Sequence, residues 1–149
     1  MKLDNNGYKL IQKFEGLKLS AYQDSVGIWT IGYGNITYED GAKVKKGDKV
    51  SQERADQLFR WFADRFASQV DTAILVPVSQ NQFNAVTSFA YNVGIGALRS
   101  STLLKKLNRC ATDPTIKDEF AKWNKAGGRV IQGLVNRRAE EAKIYFTKN

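Results

Sequence analysis

The chain of 149 residues has no histidine and one cysteine, Cys110. Without imidazole, neither a Ser–His–Asp triad nor a Cys–His dyad can form, because both use histidine as the general base. A catalytic zinc site is disfavoured too, since such sites draw on histidine and cysteine ligands. A single cysteine excludes a disulfide within the chain. We therefore expect no metal and no cofactor, and acid–base chemistry would fall to Asp, Glu, Lys or Tyr.

Long apolar runs are also lacking, and none approaches the ~18 residues that a membrane-spanning helix needs. The N-terminal stretch MKLDNNGYKLIQKFEG has Asp, Asn and Gly where a signal peptide would have its apolar core. We therefore expect no integral membrane segment, and a soluble protein made in a reducing compartment, the cytoplasm.

Positive charge is in excess, with 23 Lys and Arg against 15 Asp and Glu. Residues 99–149 hold 12 of the basic and only 5 of the acidic side chains, so this stretch has a net charge of +7. Such a surface favours an anionic partner, and nucleic acid, anionic lipid and an acidic wall polymer all remain open.

Apolar periodicity predicts an α+β fold with a small sheet between helices. The predicted sheet lies within residues 17–50, and the predicted helices cover 4–14, 51–72, 79–93, 97–107, 113–127 and 134–146. The expected organisation is one domain, 1–149, with a sheet-containing lobe (about 15–50), a helical lobe (1–14 and 73–149) and a connecting helix (51–72). Two lobes on one helix imply a cleft, which is a common ligand site.

Two of the fifteen carboxylates have unusual positions. Most lie on predicted polar helix faces and are expected in solvent, for instance Asp56, Asp64, Glu140 and Glu141. Glu15 instead ends the first predicted helix, where the negative end of the helix dipole raises a carboxyl pKa. Asp24 follows nine residues later in a predicted turn. Such a pair suits glycoside hydrolysis, although a helix-end residue and a turn former would look the same.

The residues around this pair form an extended motif: Phe14-Glu15-Gly16, Ala21-Tyr22-Gln23-Asp24 and Gly27-Ile28-Trp29-Thr30-Ile31-Gly32-Tyr33-Gly34. This motif resembles the active-site signature of the phage-type lysozymes, which are endolysins and muramidases of one glycoside hydrolase family. A later stretch, 89–94, resembles the cleft-lining helix end of the same family. Two more, 123–128 and 133–138, resemble the C-terminal lobe of its lambdoid-type members.

The resemblance implies a lysozyme-like fold and hydrolysis of the β-1,4 bond between N-acetylmuramic acid and N-acetylglucosamine in peptidoglycan. By position, Glu15 would be the general acid, Asp24 the second carboxylate and Thr30 a holder of the attacking water, which implies inversion. The saccharide-binding residues would be Gly34, Asn35, Tyr91, Asn92 and Arg137. Arg137 would orient Glu15 or bind the peptide stem; the alternative is an ordinary surface charge.

The resemblance also implies a monomer that stays in the host cytoplasm until a separate holin releases it to the periplasmic wall. One departure is Asn35, where many relatives have a histidine with a structural role. Cys110 is expected to be a half-buried packing residue rather than a redox switch. Two alternatives remain open: a catalytically silent wall-binding module, and a nucleic-acid binder, for which no motif is present.

Overall fold

Seven helices and two small antiparallel sheets make up the chain in the computed structural model, which describes residues 1–149. The helices are α1 (Asn5–Glu15), α2 (Gln52–Ala73), α3 (Gln80–Val93), α4 (Ile95–Ser100), α5 (Thr102–Arg109), α6 (Ile116–Ala121) and α7 (Gln132–Tyr145). The strands are β1 (Lys18–Gln23), β2 (Trp29–Gly32), β3 (Lys125–Ala126) and β4 (Arg129–Val130). The predicted α+β class is confirmed.

The chain divides into two compact units. One unit holds residues 1–7 and 66–149, and the other holds residues 8–65. No helix is both long enough and apolar enough to cross a membrane.

Helix α1 begins and ends where its local chemistry predicts. The Asp4 carboxylate accepts a hydrogen bond from the Gly7 amide (3.0 Å), which satisfies one of the first free amides of the helix. At the other end Gly16 adopts φ +68°, and its amide donates to the Gln12 carbonyl (3.0 Å). Because glycine enters the left-handed region without strain, the helix stops directly after Glu15.

The predicted sheet within 17–50 is a β1–β2 hairpin. Its register pairs Tyr22 with Thr30, and an irregularity lies between Lys18 and Tyr22. Ile31 packs with Val44 and Leu58 in a buried cluster beneath it. This cluster anchors β2 to the first half of α2, whose start is capped by Ser51 through a bond from the Arg54 amide (3.0 Å).

Two helix predictions were wrong at their boundaries. The helix predicted over 97–107 is split at Ser101, whose hydroxyl donates to the Leu98 carbonyl (2.6 Å) and accepts from the Leu104 amide (3.1 Å). That serine therefore ends α4 and starts α5. The helix predicted over 113–127 is only α6, because Gly127 and Gly128 (φ +57° and +78°) form the turn of the β3–β4 hairpin instead.

The helical unit is built on the packing of α3 against α7. Its interior holds Phe89, Phe120 and Tyr145, with Phe89 meeting Phe120 edge-on at 5.7 Å between ring centroids. Ser79 starts α3 with a reciprocal capping box to Gln82. A local cap thereby fixes the start of α3, and α3 and α7 pack against each other.

Candidate active site

Glu15 occupies the last position of α1 and is half-buried. Gly34 adopts φ +77°, and a Cβ at this position would lie 2.5 Å from Oε1 of Glu15. The backbone at Gly34 therefore approaches the carboxylate more closely than any other residue type would allow. Glu15 precedes β1 and Gly34 follows β2, so the hairpin between them brings the two residues together.

Asp24 holds the turn between β1 and β2. Its Oδ1 accepts from the amides of Val26 and Ile28 (2.9 Å each), and its own amide donates to the Ile28 carbonyl (2.9 Å). Asp24 is thus the predicted turn former, yet Oδ2 takes part in none of these bonds. A carboxylate fixed by one oxygen can present the other to a ligand in a defined direction.

Thr30 lies on β2 and is 4% exposed. Its hydroxyl donates to the Ile28 carbonyl at 2.9 Å. Since the one hydroxyl proton is committed, the oxygen can act only as an acceptor towards a further group such as a water molecule. Thr30 and Asp24 both form hydrogen bonds with the backbone of Ile28, so this one residue positions both side chains.

Tyr22 was missed as a site residue by the sequence reasoning. It lies directly across the β1–β2 pair from Thr30, and opposed residues share one face of a sheet. Burial raises the pKa of the Tyr22 phenol, and the charges of Glu15 and Asp24 raise it further. The phenol is therefore neutral and lies within the field of both carboxylates. Its place in the motif between them was the available signal.

Asn35 is 5% exposed and belongs to the turn after β2. Its side-chain oxygen accepts from the Tyr33 amide (3.3 Å), while its backbone exchanges two hydrogen bonds with Ile31. The structure thus gives Asn35 a role in fixing the turn that carries Gly34. A saccharide contact for Asn35 and Gly34 stays a prediction.

Tyr91 and Asn92 lie in the last turn of α3. Tyr91 is half-buried and its ring packs on Phe66, 5.3 Å between centroids, whereas Asn92 is exposed. The saccharide-binding role of both residues stays a prediction.

Arg137 is buried in an ionic network on α7. Its Nε lies 3.2 Å from Oε2 of Glu141, and its guanidinium donates to the Ser88 carbonyl at 3.1 Å. Ser88 also donates its hydroxyl to Glu141 (2.6 Å), and Arg138 pairs with the same carboxylate at 2.8 Å. With Arg137 only 4% exposed, the alternative of an ordinary surface charge is wrong.

Two further predictions about burial were wrong. Glu141 was expected in solvent but is fully buried, because two guanidinium groups and Ser88 supply the partners that a buried charge requires. Cys110 was expected to be half-buried but is exposed, directly after α5. A hydrogen bond from Thr112 lowers the pKa of the Cys110 thiol.

The predicted site residues are divided between the two units. Glu15, Asp24, Thr30, Gly34 and Asn35 belong to residues 8–65, and Tyr91, Asn92 and Arg137 belong to the helical unit. Within residues 8–65, one helix end and one hairpin carry two carboxylates, a threonine acceptor and a phenol. This set can supply one acid and one water-activating group.

Comparison with known proteins gives a consistent family. Residues 12–141 match the family model described as phage lysozyme. The chain is 43% identical over 149 residues to an endolysin of Bacillus phage B103, covering 99% of this chain and 55% of that protein. It is 34% identical over 142 residues to an endolysin of Salmonella phage P22, covering 95% of this chain and 97% of that protein. The chain thus spans about half the length of some relatives and nearly all of others.

A solved structure supports the same assignment. An endolysin from Escherichia coli O157:H7 phage FAHEc1 matches with a TM-score of 0.90 and 41% identity, covering 98% of this chain and 94% of that chain. The fold and the sequence therefore agree over almost the whole length. The chain belongs to the phage lysozyme family.

Proposed function

We propose that this chain is a muramidase of the endolysin type, which hydrolyses the β-1,4 bond between N-acetylmuramic acid and N-acetylglucosamine in peptidoglycan and so lyses the host cell. The observation that carries the proposal is the close approach of Gly34 to Glu15 next to a hairpin that fixes Asp24 and Thr30. Membership of the phage lysozyme family supports the same reaction class.

In the proposed mechanism Glu15 is the general acid that protonates the glycosidic oxygen as the bond to the leaving sugar breaks. Its half-buried place at the end of α1, where the backbone of Gly34 closely approaches the carboxylate, supports this role.

Asp24 and Thr30 hold the attacking water on the opposite face of the sugar. Thr30 accepts one hydrogen of this water, since its own proton is bonded to the Ile28 carbonyl. The carboxylate of Asp24 accepts the other and takes up the proton as the new bond to the anomeric carbon forms. This geometry inverts the anomeric centre and requires carboxylates about 6.5–9.5 Å apart.

The experiment is a clearing assay on outer-membrane-permeabilised Gram-negative cells. We expect Glu15→Gln to fold like the wild type but to clear the suspension at least ~10³-fold more slowly, because a carboxamide cannot donate the proton. Glu53→Gln, at an exposed carboxylate in the first turn of α2, is the matched control and should clear normally. Clearing by Glu15→Gln at the wild-type rate would exclude Glu15 as the acid.

Stereochemistry is a separate test of the water-holding role. Proton NMR of the first product should show the α anomer, the inverted product. A β product would remove the role assigned to Thr30.

Two alternatives have distinct outcomes. Wild-type protein that pellets with sacculi without releasing reducing ends would be a wall-binding module without activity. Tight DNA binding with a steep salt dependence and no lysis would identify a nucleic-acid binder.

The proposal extends to the route and the state of the protein: a monomer that acts on the periplasmic wall after a separate holin releases it from the cytoplasm. Expression with and without a holin tests this route. Lysis that begins only with the holin is expected, and lysis without it would contradict the route.

A further inference from the structure

A groove of about 520 Å³ lies against α6 and α7 in the helical unit. Its lining residues are Pro114, Lys117, Ala139, Ala142, Lys143 and Phe146. Three of these residues, Ala139, Ala142 and Lys143, lie in α7, and Phe146 directly follows it. Spacings of three or four residues place their side chains on one face of this helix end. The volume of the groove falls in the usual range for small-ligand sites, about 300–1,000 Å³.

The lining combines an apolar floor with cationic walls. The floor is made of two alanine methyl groups, a proline ring and the Phe146 ring, which is 40% exposed. The charged lining groups are Lys117 from α6 and Lys143 from α7, and no carboxylate joins them. A sugar would find few hydrogen-bond partners on such a floor, whereas an apolar chain with an anionic head would find both of its requirements.

The two lysines are available for a ligand. Both are exposed, and neither forms a salt bridge or a side-chain hydrogen bond. Lys106 and Lys122, by contrast, are both committed to Glu119. The surrounding stretch 99–149 has a net charge of +7, which attracts an anionic lipid surface.

We propose that this groove binds an anionic phospholipid of a membrane. Part of an acyl chain lies over Ala139 and Phe146, and the phosphate lies between Lys117 and Lys143. Such binding goes beyond glycoside hydrolysis, because it would hold the protein at the membrane surface that faces the wall.

The test is co-sedimentation with vesicles of phosphatidylcholine, with and without phosphatidylglycerol. We expect the wild type to bind the vesicles that contain phosphatidylglycerol. The Lys117→Glu/Lys143→Glu double variant should bind the same vesicles at least roughly tenfold more weakly. The matched control is Lys46→Glu/Lys49→Glu, which makes the same charge change at two exposed lysines of the other unit. Equal losses in the two double variants would show diffuse attraction and overturn the proposal.

A second variant tests the groove without changing charge. Ala139→Gln places a polar side chain over the apolar floor and should also weaken vesicle binding, whereas Ala126→Gln, at an exposed alanine of β3, should not. Thermal melting confirms that each variant is folded. Unchanged binding by Ala139→Gln would overturn the proposal. Release of the protein from the vesicles by inorganic phosphate, at a concentration equal to that of the lipid phosphate, would also overturn the proposal, since it would indicate a simple anion site.

Discussion

At the scale of single residues, the space around Glu15 depends on Gly34, which has no side chain. Gly34 has a positive φ and faces the carboxylate so closely that a Cβ would lie 2.5 Å from Oε1. Gly41 has a similar φ of +85° but nothing within 4 Å of a built Cβ. The two glycines therefore share the same backbone requirement and differ only in their neighbour.

This pair gives a controlled prediction. Alanine at either position carries the left-handed penalty of about 1–2 kcal/mol, so both variants should lose similar stability. Only Gly34→Ala displaces the Glu15 carboxylate, and a shift of ~1 Å at a reacting group can lower the rate by about a hundredfold. Clearing rates and melting temperatures of Gly34→Ala and Gly41→Ala check this. Equal clearing rates would mean that the contact with Gly34 does not position Glu15.

At the scale of elements, helices α5 and α6 are joined by one carboxylate. Glu119 of α6 is 4% exposed and lies 2.8 Å from Nζ of Lys106 on α5 and 3.0 Å from Nζ of Lys122. The hydrogen bonds from Lys106 and Lys122 lower the pKa of Glu119 below its usual value. The ionised form therefore stabilises the contact between the two helices.

The sign of the pH dependence follows from this shift. Because the pKa of Glu119 is lower in the folded state, its contribution to stability is present above the unfolded pKa, about 4.3, and disappears as the pH falls through the folded pKa. We expect Glu119→Gln to lower the free energy of unfolding by about 1.5–3 kcal/mol near neutral pH. The difference should shrink in acid. Denaturant unfolding at a series of pH values measures it, and a difference that does not change with pH would contradict the assignment.

The start of α3 gives a second prediction at this scale. Ser79→Ala removes the capping box with Gln82 and should cost about 1 kcal/mol. Ser68→Ala, at an exposed serine inside α2, should be nearly neutral. Urea unfolding compares the two variants, and similar midpoints would show that the cap does not contribute to stability.

Local signals explain which elements could be predicted. Each capping residue acts within four residues of itself, so both ends of α1 and the starts of α2 and α3 could be predicted from the sequence. These residues are Asp4, Gly16, Ser51 and Ser79. Glu141 could not be assigned this way, since its burial depends on Ser88, 53 residues away. For the site, the motif named Glu15, Asp24 and Thr30. The opposition of Tyr22 to Thr30 depends on the register set by the turn between β1 and β2, which side-chain alternation does not encode.

At the scale of the whole molecule, charge is distributed unevenly along the chain. Residues 1–98 have a net charge of +1 and residues 99–149 a net charge of +7. Long-range attraction to an anionic wall should therefore come mainly from the second stretch. Exposed charges are screened over about 8 Å at physiological ionic strength, so this attraction depends on salt.

Binding to sacculi should accordingly weaken as salt rises. We expect the fraction of Glu15→Gln protein that pellets with purified sacculi to fall several-fold between about 0.01 and 0.15 M salt, as the screening length shortens from about 30 to 8 Å. Using the Glu15→Gln variant keeps the wall intact during the measurement. A pelleted fraction independent of salt would show that the positive charge does not contribute to wall binding.

We propose that Glu15 enables cleavage of the bond after N-acetylmuramic acid. The most direct measurement is digestion of purified peptidoglycan, borohydride reduction of the new chain ends and mass spectrometry of the reduced sugars. We expect reduced N-acetylmuramic acid with the wild type and no new reducing ends with Glu15→Gln. Reduced N-acetylglucosamine at the new ends, or equal release by the two proteins, would contradict it.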